Sequence, residues 1–210
     1  MLKILVDGGY MMIPLMFCSV LAVGVVIDRG LAFMRYARVD TRSLRAQVMQ
    51  MLREGRVQEA ALLCAQTPGP VAAVLLAGIQ AYAKHLGRVG EGEVAATVKT
   101  TMEEFSVHAL SAVEKRFGVL STIGNAAPLL GMTGTVVGMI ASFDALQQQA
   151  GDVGVVAGGI STALITTAAG LMIALIAVIP YNYFSARSDT IDLEIEETKS
   201  QFVDFITTGI

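Results

Sequence analysis

Tryptophan is absent from this chain, histidine and cysteine occur twice each, and aromatic residues make up only 6% of its 210 positions. Each scarcity removes a class of function. Cys18 lies in an apolar run and Cys64 in a polar region, so no disulfide framework is available, and neither has neighbours at metal-ligand spacing. His85 and His108 both fall in a charged segment and read as solvated helix residues. No H-E-x-x-H, G-x-S-x-G, Walker A or G-x-G-x-x-G arrangement occurs, which argues against an enzyme and leaves no cofactor implied. Basic excess is lacking too: a net charge of −3 and a pI near 5.4 give no general ground for binding nucleic acid.

What the chain has in quantity is aliphatic. Hydrophobic residues reach 54% and the mean hydropathy is +0.61, too apolar for a soluble surface, so a lipid bilayer is the expected solvent. The 21 glycines suit close helix packing within it.

Three uncharged runs are long enough to cross a hydrocarbon core as helices: Gly8 to Ile27, Phe117 to Phe143, and Val153 to Ala186. The first could be read as a signal peptide with Lys3 at its basic end. The arginines, however, are dense after the run, and no A-x-A site closes it, so a retained span is expected. Only Asp144 to Asp152 separates the second and third runs, which therefore form a helical hairpin. Lys and Arg crowd the segment between the first two spans, and Arg187 and Lys199 follow the third, while the hairpin loop has none. The expected topology is N-terminus out and C-terminus in.

The expectation is thus an all-α integral membrane protein in four stretches. Residues 1–27 form the outer end and first span, 28–116 a cytoplasmic helical segment, 117–186 the hairpin, and 187–210 a cytoplasmic C-terminal helix. In the cytoplasmic segment Leu44, Val48, Met51 and Leu52 recur at helical spacing, Gly55 interrupts, and Pro68-Gly69-Pro70 breaks the chain before a run from Val71 to His85. Glu93 to Arg116 has no Gly or Pro before the second span, which predicts one long helix running from cytoplasm into membrane. The third span is expected to continue as well, through Ile191, Ile195, Phe202 and Ile206, and the two extensions to pack together in a cytoplasmic bundle.

Within the spans, Ala127, Gly131, Gly134 and Gly138 share one side of the second helix, and Gly159, Ala163, Thr166, Gly170, Ala174 and Ala177 form a matching stripe on the third. Helix packing is the expected use of these small residues. The hydroxyls of Thr133, Thr135, Ser161, Thr162, Thr166 and Thr167 form a cluster able to donate and accept, as a water-lined ion path requires. Thr135 stands about 12 Å and Thr167 about 21 Å inside the membrane at 1.5 Å per residue. A lone threonine in a span more often bonds back to its own helix; the number here favours a path. Pro128 and Pro180 each deprive a carbonyl of its helical donor, giving either a fixed kink or a hinge.

The runs A-P-L-L-G-M-T-G-T-V-V-G-M-I at Ala127 to Ile140, G-I-S-T-A-L-I-T-T-A-A-G-L at Gly159 to Leu171, and I-P-Y-N at Ile179 to Asn182 resemble the MotA/TolQ/ExbB proton-channel family. The three-span layout is similar to its ExbB and TolQ branch. The resemblance implies a homo-oligomeric ring, a pentamer, around the single spans of an ExbD/TolR-like partner, with a TonB-like protein as a further possible partner. It places Thr135 and Thr167 as pore threonines and Pro128 and Pro180 beside the path, and Thr162 and Thr166 belong to the same proposed pathway set. Thr162 stands where ExbB and TolQ commonly carry Glu, a departure that bears on the ion route. A non-conducting membrane scaffold and an unrelated small transporter are the alternatives; the absence of inverted repeats weighs against the transporter.

Overall fold

The computed structural model describes residues 9–37, 39–85, 91–148 and 153–208. Seven helices occur among them: α1 (Met12–Tyr36), α2 (Thr41–Arg53), α3 (Val57–Gln66), α4 (Pro70–His85), α5 (Glu91–Glu114), α6 (Phe117–Gln148) and α7 (Val153–Thr208). No strand is present among the described residues. The protein is all-α, and α1, α6 and α7 are each long and apolar enough to cross a membrane. It divides into two compact units, Met1–Arg29 with Arg116–Tyr183, and Gly30–Lys115 with Phe184–Ile210.

The second unit is a helical bundle with a continuous apolar core. Leu44, Val48 and Leu52 on α2, Val71, Val74, Leu75 and Ile79 on α4, and Val94, Val98 and Met102 on α5 are all buried, each set following the three- and four-residue helical spacing. The C-terminal part of α7 completes this core with Ile195, Phe202 and Ile206, and the Phe202 ring meets Tyr82 edge-on at 6.4 Å. Local chemistry sets the connections. Asp40 caps α2 by accepting the Arg42 N–H at 3.1 Å. Gly55 takes a left-handed φ of 74° while the Arg56 N–H reaches back to the Met51 carbonyl, the glycine-based stop expected at a helix C-terminus. Pro70 opens α4 at the position where its missing N–H costs nothing.

The helix of the first span continues past its apolar run, α1 carrying on through Asp28 and Arg29 to Tyr36. A charge marks a hydrocarbon boundary, not a helix end. One expectation needs correction: the unbroken helix expected from Glu93 through Arg116 into the second span is interrupted. The α5 helix stops at Glu114, α6 starts at Phe117, and Arg116 between them has φ of 72°. A left-handed arginine costs about 1–2 kcal/mol. Its guanidinium reaches Asp28 Oδ2 at 2.9 Å, but both groups are substantially exposed and such a pair, screened by solvent, returns little. Packing on either side supplies the rest. Val113 is buried in the second unit, and Phe117 is buried in the first, edge-on to Tyr181 at 6.4 Å.

Candidate functional site

In the first unit α6 and the first half of α7 pair antiparallel along the small-residue stripes. A Cβ added to Gly170 would lie 2.6 Å from the Ala127 carbonyl oxygen and 3.1 Å from the Gly131 Cα. One added to Gly131 would lie 3.1 Å from the Thr167 Cα. Farther along, a Cβ on Gly134 would meet the Thr166 methyl at 2.6 Å, and one on Gly138 the Ala163 Cβ at 2.9 Å. At Gly131 and Gly170 the obstacle is backbone, which cannot rotate away. These contacts bring two helix backbones within reach of each other's polar groups.

That proximity decides where the hydroxyls go. Thr167 Oγ1 crosses between the helices and donates to the Gly131 carbonyl at 2.9 Å. By helical register the same carbonyl takes the backbone N–H of Thr135. Thr135 and Thr167 therefore converge on one oxygen, although they lie on different helices. The Thr135 hydroxyl itself donates to the Met132 carbonyl at 2.6 Å. A threonine whose proton is committed to a carbonyl keeps its oxygen lone pairs, so both side chains present acceptors to anything arriving from outside the pair.

The remaining hydroxyls divide differently. Thr166 donates to the Thr162 carbonyl at 3.1 Å and is buried, its methyl filling the notch over Gly134. Thr133 and Ser142 donate to the Leu129 and Gly138 carbonyls at 2.8 and 2.7 Å. Thr162 faces toward Gly9, whose added Cβ would lie 3.9 Å from the Thr162 methyl. Five residues on, Thr167 is turned about 140° away around the helix axis, so the structure brings Thr167 to Thr135 and leaves Thr162 on another flank.

Helix α6 passes through Pro128 and α7 through Pro180 without ending. The missing N–H of Pro128 frees the Gly124 carbonyl, and Val178 packs so close to Gly124 that an added Cβ would lie 2.5 Å from it. The Gly131 carbonyl is the shared acceptor that the sequence pattern did not single out, Gly131 being expected there for packing alone. Its signal was the four-residue step from Gly131 to Thr135, which makes one residue's carbonyl the other's backbone acceptor. Among the described residues no group of three or more His, Cys, Asp or Glu could hold a metal ion.

Comparison with known proteins agrees with this region. The pattern of the MotA/TolQ/ExbB proton channel family matches residues 66–197, which include α6 and the membrane half of α7. An ExbB-homologous biopolymer transport protein of Methanothermobacter thermautotrophicus is 32% identical over 155 residues, 74% of this chain and 52% of that one. Tol-Pal system protein TolQ of Pseudomonas aeruginosa is 46% identical over 78 residues, 37% of this chain and 34% of TolQ. A biopolymer transport protein ExbB-like 3 of Synechocystis is 29% identical over 181 residues, 84% of this chain and 81% of the relative. The first two matches thus span about half and about a third of the relatives' own lengths.

Proposed function

This chain belongs to the ExbB/TolQ-like branch of the MotA/TolQ/ExbB proton channel family, and on that footing we propose that it is a ring-forming subunit of an energy transducer driven by the proton-motive force. In this reading identical chains, five in number, surround a single-span ExbD/TolR-like partner in the inner membrane. The N-terminus is periplasmic and the C-terminus cytoplasmic, in keeping with the crowding of Lys and Arg between the first two spans. Ions cross where the hairpin meets the partner, and the partner's movement powers an envelope process. The hairpin is the observation that carries the reading. It lies inside the family match, and it offers hydroxyl oxygens at Thr135 and Thr167 while its apolar runs contain no Asp, Glu, His, Lys or Arg.

The chemistry follows from that combination. Hydroxyls accept hydrogen bonds from water or from a protonated acid, but they hold no charge near neutral pH. A proton therefore needs a station on another chain, and a carboxylate on the partner's span supplies it. With their own protons donated to Met132 and Gly131, Thr135 and Thr167 are oriented to accept from that acid or from its water. A membrane potential contributes about 2.3 kcal/mol per charge per 100 mV to such a transfer. Thr166, buried in the hairpin, is assigned to packing, and Pro128 and Pro180 to positions where the path's walls adjust.

Proton flux in liposomes tests this. The chain alone should leak little; adding the partner should produce flux that disappears when the partner's membrane carboxylate becomes an amide. Sustained proton current from this chain alone, equal to that of the complex, would defeat the proposal. No flux from either preparation would favour a non-conducting scaffold.

A further inference from the structure

The second unit contains a cavity of about 300 Å³, near the lower bound of small-ligand pockets, lined in part by residues just beyond the ends of the first and third apolar runs. Its wall includes Phe33 and Tyr36, from the part of α1 just past the charged pair Asp28 and Arg29, and Arg187, the first charged residue after the third apolar run. At 1.5 Å per residue, Phe33 lies about 7 Å beyond Asp28, within the depth of a lipid headgroup layer.

Positive donors and negative acceptors share the wall. Arg42 and Arg187 are both exposed to the cavity side of the surface, and among the described residues neither guanidinium is held in an ion pair. Val71 and Ala72 also line it, in the first turn of the 16-residue helix α4. Gly69 precedes that turn and has no side chain with which to cap its N–H groups. Such a turn carries the positive end of the helix dipole. Opposing these are Asp40, with one oxygen spent on capping α2, and Glu194. The lining's two cations and two anions cancel, which disfavours a simple anion.

A zwitterion fits. Arg187 and Glu194 lie seven residues apart on α7, hence on one face and about 10 Å apart along it, with Arg187 nearer the apolar run. A phospholipid entering from the bilayer brings its phosphate in nearer the acyl chains and its amine farther out, which is the order of Arg187 and Glu194. We infer that this cavity binds a phosphoethanolamine group. Arg42, Arg187 and the start of α4 hold the phosphate, and Glu194 takes the primary ammonium.

Native mass spectrometry of the full chain, purified in mild detergent and offered phosphatidylethanolamine, phosphatidylcholine or phosphatidylglycerol, tests this. Phosphatidylethanolamine should be retained at least tenfold over the other two, because a quaternary amine cannot donate to Glu194 and a glycerol headgroup has no cation. The double variant Arg42→Gln, Arg187→Gln should lose that retention tenfold or more, while Arg187→Lys should keep part of it. Glu194→Gln should erase the preference for phosphatidylethanolamine over phosphatidylglycerol without abolishing binding. Competition by soluble phosphoethanolamine, where it equals the lipid, supports the same chemistry and identifies a soluble source. Equal retention of all three lipids, full retention by the double arginine variant, or displacement by inorganic phosphate as effective as phosphoethanolamine would overturn the inference.

Discussion

Gly170 and the Ala127 carbonyl stand so close that even a methyl group at Gly170 would lie 2.6 Å from the oxygen. Because the obstacle is main chain, the helices themselves would have to part. Gly170→Ala should therefore lower the thermal midpoint of the detergent-purified protein by several degrees, in line with an overpacking cost of about 1–3 kcal/mol. Gly158→Ala is the matched control, since an added Cβ there meets nothing within 4 Å and should leave the midpoint unchanged or raise it slightly.

Valine scanning separates lining from packing among the threonines. Thr167→Val removes the bond to Gly131, and with it about 0.6 kcal/mol by the usual worth of a hydrogen bond between membrane helices, so folding should persist while transduction falls. Thr135→Val should behave likewise. Thr166→Val keeps the methyl that fills the Gly134 notch and should retain flux. Loss of flux in the Thr166 variant equal to that in the Thr167 variant would put the buried hydroxyl into the path.

Phe202 is fully buried in the second unit against Tyr82. Truncation to alanine should cost about 3–5 kcal/mol. The expected readout is a lowered melting transition and faster proteolysis of the Gly30–Lys115 segment, followed by gel electrophoresis; unchanged proteolysis would show that the core tolerates the void.

Cys64 is buried and its thiol is pushed up to about 11 by desolvation of the charged form. Since the thiolate reacts, maleimide labelling of native Cys64 should be negligible at pH 7, rise as pH approaches 11, and become rapid on unfolding at either pH. Its silence therefore says nothing about which side of the membrane it occupies. Orientation is better read from exposed positions. Gln147→Cys should react with an impermeant reagent in intact cells, and Ala46→Cys only after permeabilisation; the reverse pattern would invert the topology.

The three spans and the hairpin were legible because a bilayer-length apolar run is a local property of sequence. So were the stop at Gly55 and the break at Pro68-Gly69-Pro70, where the residue type itself dictates the backbone. The left-handed Arg116 was not legible: nothing in an arginine announces positive φ, and the turn depends on Val113 and Phe117 each being buried in its own unit. The threonines show the same limit. Their presence in the spans could be read directly, but whether a hydroxyl turns back to its own helix, as at Thr166, or crosses to the neighbour, as at Thr167, depends on how two helices register.

The hydroxyl bonding also bears on how the hairpin is made. Thr133, Thr135, Ser142 and Thr166 each satisfy their protons on a carbonyl three or four residues back, so these four hydroxyls need nothing from the neighbouring helix when their own helix enters lipid. Thr167 alone among these described hydroxyls commits its proton to the other helix. During insertion it would turn to its own helix, and it would switch to Gly131 only when the two glycine-lined faces dock in the correct register. Biogenesis of the hairpin would then end in a hydrogen-bond exchange at the Gly131 carbonyl.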